Sequence, residues 1–338
     1  MERVQDHYNT LEVSPKARPE IIEAAYRTLA KIYHPDIKTG DTDTFKAIVL
    51  AHEILSDPAK RVFYDREKDK LEGKVIGDYR FLSKIAEGAF GRTYKAEHII
   101  IREPVCIKDC SKISPQAEKI LIDEAKAVWD LRHYALPAMR GLVRLENKSL
   151  GLVMSYIEGP TLEQIVAKAG NMDPEDVAWM AERSLNALKY MHYKGVIHGD
   201  IKPQNIIIQP ESHMAVLIDF GLSMVKPTQN SDAKGFTPYF APKEQITGLV
   251  ILPESDLYSL GKTMIYALSG GNLDCVRDGL VPRIVPDEMC MLIRRLTRED
   301  RAERPIWENE DLCDTIADMR VKVFGRRRSN MKPVAGFS

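Results

Sequence analysis

The chain has 338 residues, enough for two domains with real cores, and its 48 basic residues nearly cancel its 49 acidic ones, so charge points to neither nucleic acid nor an anionic membrane as partner. No apolar run reaches the ~18 residues of a membrane span, and the N-terminus lacks a charged-then-apolar leader. The five cysteines (Cys106, Cys110, Cys275, Cys290 and Cys313) have no Cys-x-x-Cys spacing for zinc or a disulfide framework; they read as small apolar residues of a reducing compartment, and the expected location is cytoplasmic.

Residues 19–33, PEIIEAAYRTLAKIY, place Ile22, Ala25, Tyr26, Leu29, Ile32 and Tyr33 on the i, i+3, i+4, i+7 stripe of an amphipathic helix. Residues 41–57 repeat the pattern with Phe45, Ile48, Val49, Ala51, His52, Ile54 and Leu55. Between them Pro35 has no backbone donor and pushes His34 out of the α region. Two helices therefore flank a loop that begins with His34, Pro35 and Asp36. The proline suffices to stop a helix; the histidine and aspartate are not needed for it. Alone, the tripeptide is as readily chance as motif.

The flanks carry more information: Asp6-His7-Tyr8-Asn9-Thr10-Leu11-Glu12-Val13 before the first helix, and Asp57-Pro58-Ala59-Lys60-Arg61-Val62-Phe63-Tyr64-Asp65 after the second. With them, residues 1–68 resemble the J domain of the DnaJ family, an all-α antiparallel helical hairpin. The resemblance implies a seventy-kilodalton heat-shock chaperone as partner, whose ATPase such domains stimulate. It makes His34, Pro35 and Asp36 the stimulating loop. It also makes Arg27 and Lys31, one turn apart on the polar face, a docking face rather than a merely solvated one. The cysteine repeats and Gly/Phe stretch of full-length DnaJ are missing, so its client-handling half is not expected here.

Residues 66–77 are charged and then glycine-punctuated, and 69–77 reads as a linker. From Asp78 the period changes: YRFLSKIA, GRTYKAEHIII and PVCIKDC read as short strands. The first turn, Ala86-Glu87-Gly88-Ala89-Phe90-Gly91, would by itself be an ordinary hairpin. Residues downstream at fixed distances give it weight. Lys108 stands on the third strand in Val105-Cys106-Ile107-Lys108, and a helix over about 115–132, with Leu121, Ala125 and Val128 on one face, presents Glu124. Then come His198-Gly199-Asp200-Ile201-Lys202-Pro203-Gln204-Asn205, Ile218-Asp219-Phe220-Gly221, Thr237-Pro238-Tyr239-Phe240-Ala241-Pro242-Lys243-Glu244, Asp256-Leu257-Tyr258-Ser259-Leu260-Gly261 and Arg304-Pro305.

That ordered set, over residues 78–325, resembles the protein kinase fold, so the chain is expected to be multidomain: an all-α J domain, then an α+β bilobal kinase. The resemblance implies ATP and Mg²⁺ as cofactors and protein serine or threonine hydroxyls as substrate, because Asp-x-Lys-Pro-x-Asn is the serine/threonine form of the catalytic loop. Phosphoryl transfer needs positioning and charge neutralisation more than covalent chemistry. Gly88 and Gly91 would let backbone amides approach phosphates. Lys108, held by Glu124, would contact the α- and β-phosphates, while Asp219 and Asn205 would supply hard oxygens to the metal. Asp200 would accept the hydroxyl proton, Lys202 would steady the transferring charge, and Thr237 would face the substrate. Ile85, Thr93, Cys106, Met154, Ile157, Ile207 and Ile218 would line the adenine slot, or else serve simply as core. Ser155 to Ile157 matches the hinge that reads the adenine edge. Each acid or lysine has a surface ion pair as its ordinary alternative. Asp200 and Asp219 lie between apolar runs, where an ionised group needs a metal or partner.

Three positions depart from the family pattern. Ala86 replaces the first glycine and should weaken nucleotide grip modestly. Gly199 replaces the arginine that receives an activation-loop phosphate, which makes the expected kinase non-RD and argues against switching by that route, while the Ala-Pro-x-Glu spelling resembles that of bacterial-type kinases. Ala-Pro-Lys-Glu has one extra residue, and Glu244 rather than Lys243 is expected to pair with Arg304; Asp256 is a further structural position. None of these removes a group that touches the reacting atoms, so catalytic competence is expected. Residues 326–338 read as a basic, solvated tail. Two alternatives stand beside this expectation: a co-chaperone with an inactive ATP-binding scaffold, and a kinase whose J domain recruits nothing.

Overall fold

In the computed structural model the described residues are 7–35, 41–68, 71–88, 91–109, 115–146, 148–209 and 211–326. Asp36 of the tripeptide loop, the glycine-loop tip at 89–90 and residues 327–338 of the expected tail lie outside them. The chain divides into two compact units, Met1–Glu72 and Gly73–Ser338.

The first unit is helical: α1 (His7–Thr10), α2 (Pro19–Tyr33), α3 (Thr42–Ser56) and α4 (Pro58–Lys68). Pro19 opens α2, where its fixed φ suits a helix and its missing donor costs nothing. Asp41 caps α3 by accepting from Asp43 N at 3.1 Å, and Asp57 caps α4 through Ala59 N and Lys60 N at 2.8 and 3.1 Å. Tyr8, Leu11, Ile22, Leu29, Ile48, Ala51, Leu55 and Tyr64 form the core. The expected apolar stripes are narrower than the periodicity suggests: Ile32 and Val49 are 52% and 37% exposed, because only one flank of each helix meets the other. Arg61 explains part of the downstream motif. Its Nε donates to Tyr8 Oη at 2.9 Å and its Nη2 to Pro15 O and Ala17 O, pinning the chain entry to α4.

The second unit opens with a six-stranded antiparallel sheet in the order β1-β2-β3-β4-β6-β5. Its strands are β1 (Val75–Ile76), β2 (Tyr79–Gly88), β3 (Gly91–His98), β4 (Pro104–Asp109), β5 (Met139–Arg144) and β6 (Leu150–Ser155). Val75 and Ile76, expected in the linker, instead pair with Arg80 and Tyr79; a two-residue strand has no period to betray it. Helix α5 (Pro115–Val128) packs on the sheet and stops short of the expected residue 132.

A helical lobe follows: α6 (Leu162–Ala169), α7 (Pro174–Tyr193), β7 (Val196–Ile197), β8 (Ile206–Gln209), β9 (Met214–Leu217), β10 (Met224–Val225), α8 (Lys243–Ile246), α9 (Pro253–Leu268), α10 (Leu273–Asp278), α11 (Asp287–Leu296) and α12 (Leu312–Phe324). Every residue of α9 from Ser255 to Leu268 is buried, which makes it the central helix of this lobe. Its buried Asp256, Lys262 and Tyr258 must therefore find partners inside the protein. Among the described residues no helix is long and apolar enough to cross a membrane.

Candidate active site

The strand pairing of β4 with β3 and β6 sets Lys108 opposite Thr93 and Leu152, and Cys106 opposite Met154. Lys108 is 7% exposed, and its Nζ donates to Glu124 Oε1 and Oε2 of α5 at 2.9 and 2.8 Å and to Asp219 Oδ1 at 2.6 Å. Burial alone would drag this ammonium down, but the two carboxylates outweigh it and hold it above the ordinary lysine range. Asp219 is the counterpart: burial pushes its carboxyl up, and the Lys108 charge more than reverses that, leaving it below the usual carboxylate value. Its backbone lies at φ +65°, and Gly221 N donates to Oδ1 at 3.3 Å. A Cβ on Gly221 would come within 3.3 Å of Lys108 Nζ, so glycine keeps this corner open.

The second cluster surrounds Asp200. Its Oδ2 lies 2.8 Å from Lys202 Nζ and 3.0 Å from Asn205 Nδ2, and its Oδ1 accepts from Thr237 Oγ1 at 2.6 Å. Lys202 Nζ also donates to Thr237 Oγ1 at 3.0 Å. Asn205 stands in a single 3₁₀ turn, Pro203–Asn205, between the loop and β8, and its Nδ2 also reaches Asp200 O at 2.9 Å. With that amide committed to donation, its Oδ1 is the end left to accept.

Asp256 holds the loop from below: its Oδ2 accepts from His198 N and its Oδ1 from Gly199 N, both at 2.8 Å. Glu244 and Arg304 form a two-pronged pair at 2.6 and 3.1 Å, while Lys243 is exposed. Burial would raise the Glu244 carboxyl, but Arg304 overrides it and holds the group below its ordinary value.

The expected adenine lining is uneven. Met154 and Ile207 are buried, and Thr93, Cys106, Ser155, Ile157 and Ile218 are intermediate. Ile85 is 49% exposed, lying in a bulge between the pairs Lys84–Tyr94 and Ala86–Thr93. Gly88 and Gly91 face each other at the ends of β2 and β3. Burial pushes the Cys106 thiol up to about 12, so it is a neutral wall atom rather than a nucleophile.

In the helical hairpin, His34 ends α2 and sets its ring edge-on to Phe45, with centroids 5.1 Å apart. Arg27 is bound to Glu23 Oε1 at 3.0 Å, and Glu23 Oε2 also meets His52 Nε2 at 2.7 Å. Lys31 and Pro35 are exposed.

Several residues of this site escape sequence reasoning. Asp109, fully buried, takes the backbone N of Arg92 at 3.0 Å and its Nη2 at 2.8 Å, fixing the returning arm of the glycine loop to the strand that carries Lys108. His192 donates from Nε2 to Asp256 Oδ2 at 2.8 Å while its Nδ1 accepts from Trp307 Nε1 at 2.9 Å. Gln245 spans two loops. No local spacing flags any of them, since each acts on a group brought near by the fold.

Comparison with known proteins accords with this geometry. The family model of the protein kinase domain matches residues 79–328, and that of the DnaJ domain matches residues 6–65. A probable serine/threonine-protein kinase of Dictyostelium discoideum is 31% identical over 217 residues, 63% of this chain and 43% of that protein. Serine/threonine-protein kinase D of Synechocystis is 31% identical over 217 residues, 58% of this chain and 41% of its own. Serine/threonine-protein kinase PrkC of Bacillus subtilis is 29% identical over 205 residues, covering 58% and 31%. The chain thus spans less than half the length of these relatives.

Proposed function

Since the chain belongs to the protein kinase family, with a DnaJ domain ahead of its kinase domain, we propose that it transfers the γ-phosphoryl group of ATP to serine or threonine hydroxyls of proteins. The observation that carries this is the pairing of two complete clusters: Lys108 bonded at once to Glu124 and Asp219, and Asp200 bonded to Lys202, Asn205 and a hydroxyl.

Lys108, kept charged by both carboxylates, is the cation for the α- and β-phosphates. The Thr237–Asp200 hydrogen bond mimics the catalytic one: Oδ1 accepts from a hydroxyl at 2.6 Å, which is the geometry a general base needs toward an incoming serine or threonine. Lys202, 2.8 Å from Oδ2, balances the charge of that carboxylate and stands ready for the phosphoryl charge. Asp219 and the amide oxygen of Asn205 are the hard oxygens a Mg²⁺ ion would take, and the ion would neutralise charge on the phosphates. The serine/threonine relatives support the acceptor class, and the intact clusters speak against an inactive scaffold.

The DnaJ domain supports a second role, recruitment and stimulation of a seventy-kilodalton heat-shock chaperone through His34, Pro35, Asp36, Arg27 and Lys31. The test is phosphate transfer from ATP to a generic serine/threonine substrate by the purified chain. Asp200→Asn keeps the shape and removes the base, so transfer should fall by ~10²–10⁴; Lys108→Met should fall comparably. A parent that binds ATP yet phosphorylates nothing, itself included, would overturn the kinase role.

A further inference from the structure

Gln245, in the short helix just after Ala-Pro-Lys-Glu begins, is 3% exposed. Its Nε2 donates to two backbone carbonyls, Gly199 O at 2.7 Å and Gly235 O at 2.8 Å. Two carbonyl oxygens can only face the NH₂ end, so the amide orientation is set by chemistry. Gly199 immediately precedes Asp200, and Gly235 lies two residues before Thr237, whose hydroxyl donates to Asp200. One side chain therefore closes a loop that runs through the base and the stretch where an acceptor hydroxyl would sit.

Thr237 adds direct bonds of its own to Asp200 and Lys202, and Gln245 anchors the backbone that leads into both ends of that contact. Gly199 has φ +75°, and a Cβ there would stand 2.8 Å from Leu222 O and 2.9 Å from Ile251 Cδ1. The position next to the base has no room for a longer side chain, arginine included, without moving backbone. Two further hydrogen bonds tie the segment: Lys234 Nζ donates to Ser223 O at 2.6 Å, and Ser223 Oγ to His198 O at 2.9 Å.

Resting on the kinase reading above, we propose that Gln245 is a positioning residue for phosphoryl transfer, fixing the Gly235–Thr237 stretch against the catalytic loop with no phosphate required on the intervening segment. It touches neither nucleotide nor acceptor; it acts through Gly199 and Gly235. Removing it lets the acceptor stretch drift from the base while Lys108, Glu124 and Asp219 stay in place.

The experiment is steady-state phosphorylation of a serine/threonine peptide by the full chain, with kcat counted per molecule able to bind a fluorescent ATP analogue. Gln245→Met keeps length and loses both donors; kcat should fall about 10²-fold, and KM for ATP should stay within about twofold. Gln245→Asn, an amide one methylene short, should behave in the same way and serves if the methionine variant fails to bind nucleotide. Phosphatase-treated parent should keep kcat within about twofold, and so should Thr228→Ala/Ser231→Ala, which removes two hydroxyls that share an exposed hydrogen bond on the segment between Asp219 and Thr237. A Gln245 variant with parental kcat per binding-competent molecule, or one whose loss lies wholly in KM for ATP, overturns the assignment, as does a large loss on phosphatase treatment. An inactive parent removes the kinase reading itself and this role with it; an active parent beside an equally active Gln245 variant removes only this role.

Discussion

Arg304→Ala removes a guanidinium whose five N–H groups are all engaged. Nε donates to Arg298 O at 2.7 Å, Nη1 to Glu244 Oε1 and Glu254 O at 2.6 and 3.2 Å, and Nη2 to Glu244 Oε2 and Glu299 O at 3.1 Å each. The plane also lies 4.7 Å over the Tyr258 ring. The variant strands the Glu244 carboxylate, 8% exposed, with Ser255 Oγ at 2.8 Å as its remaining side-chain donor. Breaking such a buried pair costs ~3–5 kcal/mol. Glu244→Ala strands the opposite charge, and the guanidinium keeps only its three carbonyl acceptors, so its cost should be of the same order. Because the two act as one unit, the double variant should be little worse than the worse single one. Lys243→Ala, at an exposed neighbour, should move stability by no more than ~0.5 kcal/mol. Urea unfolding of the four variants, read beside peptide phosphorylation, measures all of this. The pair also sets the sign of a pH dependence. The folded Glu244 carboxyl lies below its ordinary value of 4.5, so its contribution is complete above that pH and is lost as pH falls through the depressed folded value. Glu244→Gln should flatten that acid limb. A sensitive Lys243 with a silent Glu244, or additive singles, would refute the pairing and the placement of Thr237 that depends on it.

Further outcomes are expected elsewhere. His34→Gln should abolish stimulation of a seventy-kilodalton chaperone's ATPase while costing ~1 kcal/mol or less, the worth of one edge contact with Phe45; unchanged stimulation would sink the recruitment role. Asp256→Asn turns an amide donor toward backbone N–H groups that need acceptors, so ~1–3 kcal/mol of stability and part of kcat should go; parental values of both would refute its hold on the catalytic loop. Cys106, its thiol raised to about 12 by burial, should resist iodoacetamide at neutral pH, and peptide mapping that finds it rapidly alkylated would contradict its place in the wall.

Much of this protein was legible in one dimension because its chemistry needs particular residue types at particular separations. The helix stop at Pro35 and the aromatic and β-branched strands β2–β4 could be read before any fold was known, and Lys108, Glu124, Asp200, Asn205 and Asp219 could be picked out because the ordered motifs around them resemble those of protein kinases. The choice of Glu244 over Lys243 was a question of register, which counting residues from Thr237 could address. What the sequence could not reveal is which backbone groups a side chain meets across the chain. Gln245 reaches carbonyls 46 and 10 residues away, and Trp307 reaches His192 over 115 residues. Asp109 meets Arg92 only because the antiparallel register of β3 and β4 sets them opposite. Ile32 and Val49 look apolar-facing by period, yet they stand exposed because packing partners, not period, decide which face is covered, and Ile85, expected in the adenine slot, lies in a bulge of β2. Motifs are written in residue order; clamps and registers arise when distant segments fold to hydrogen-bond distance, and only the tertiary structure holds that information.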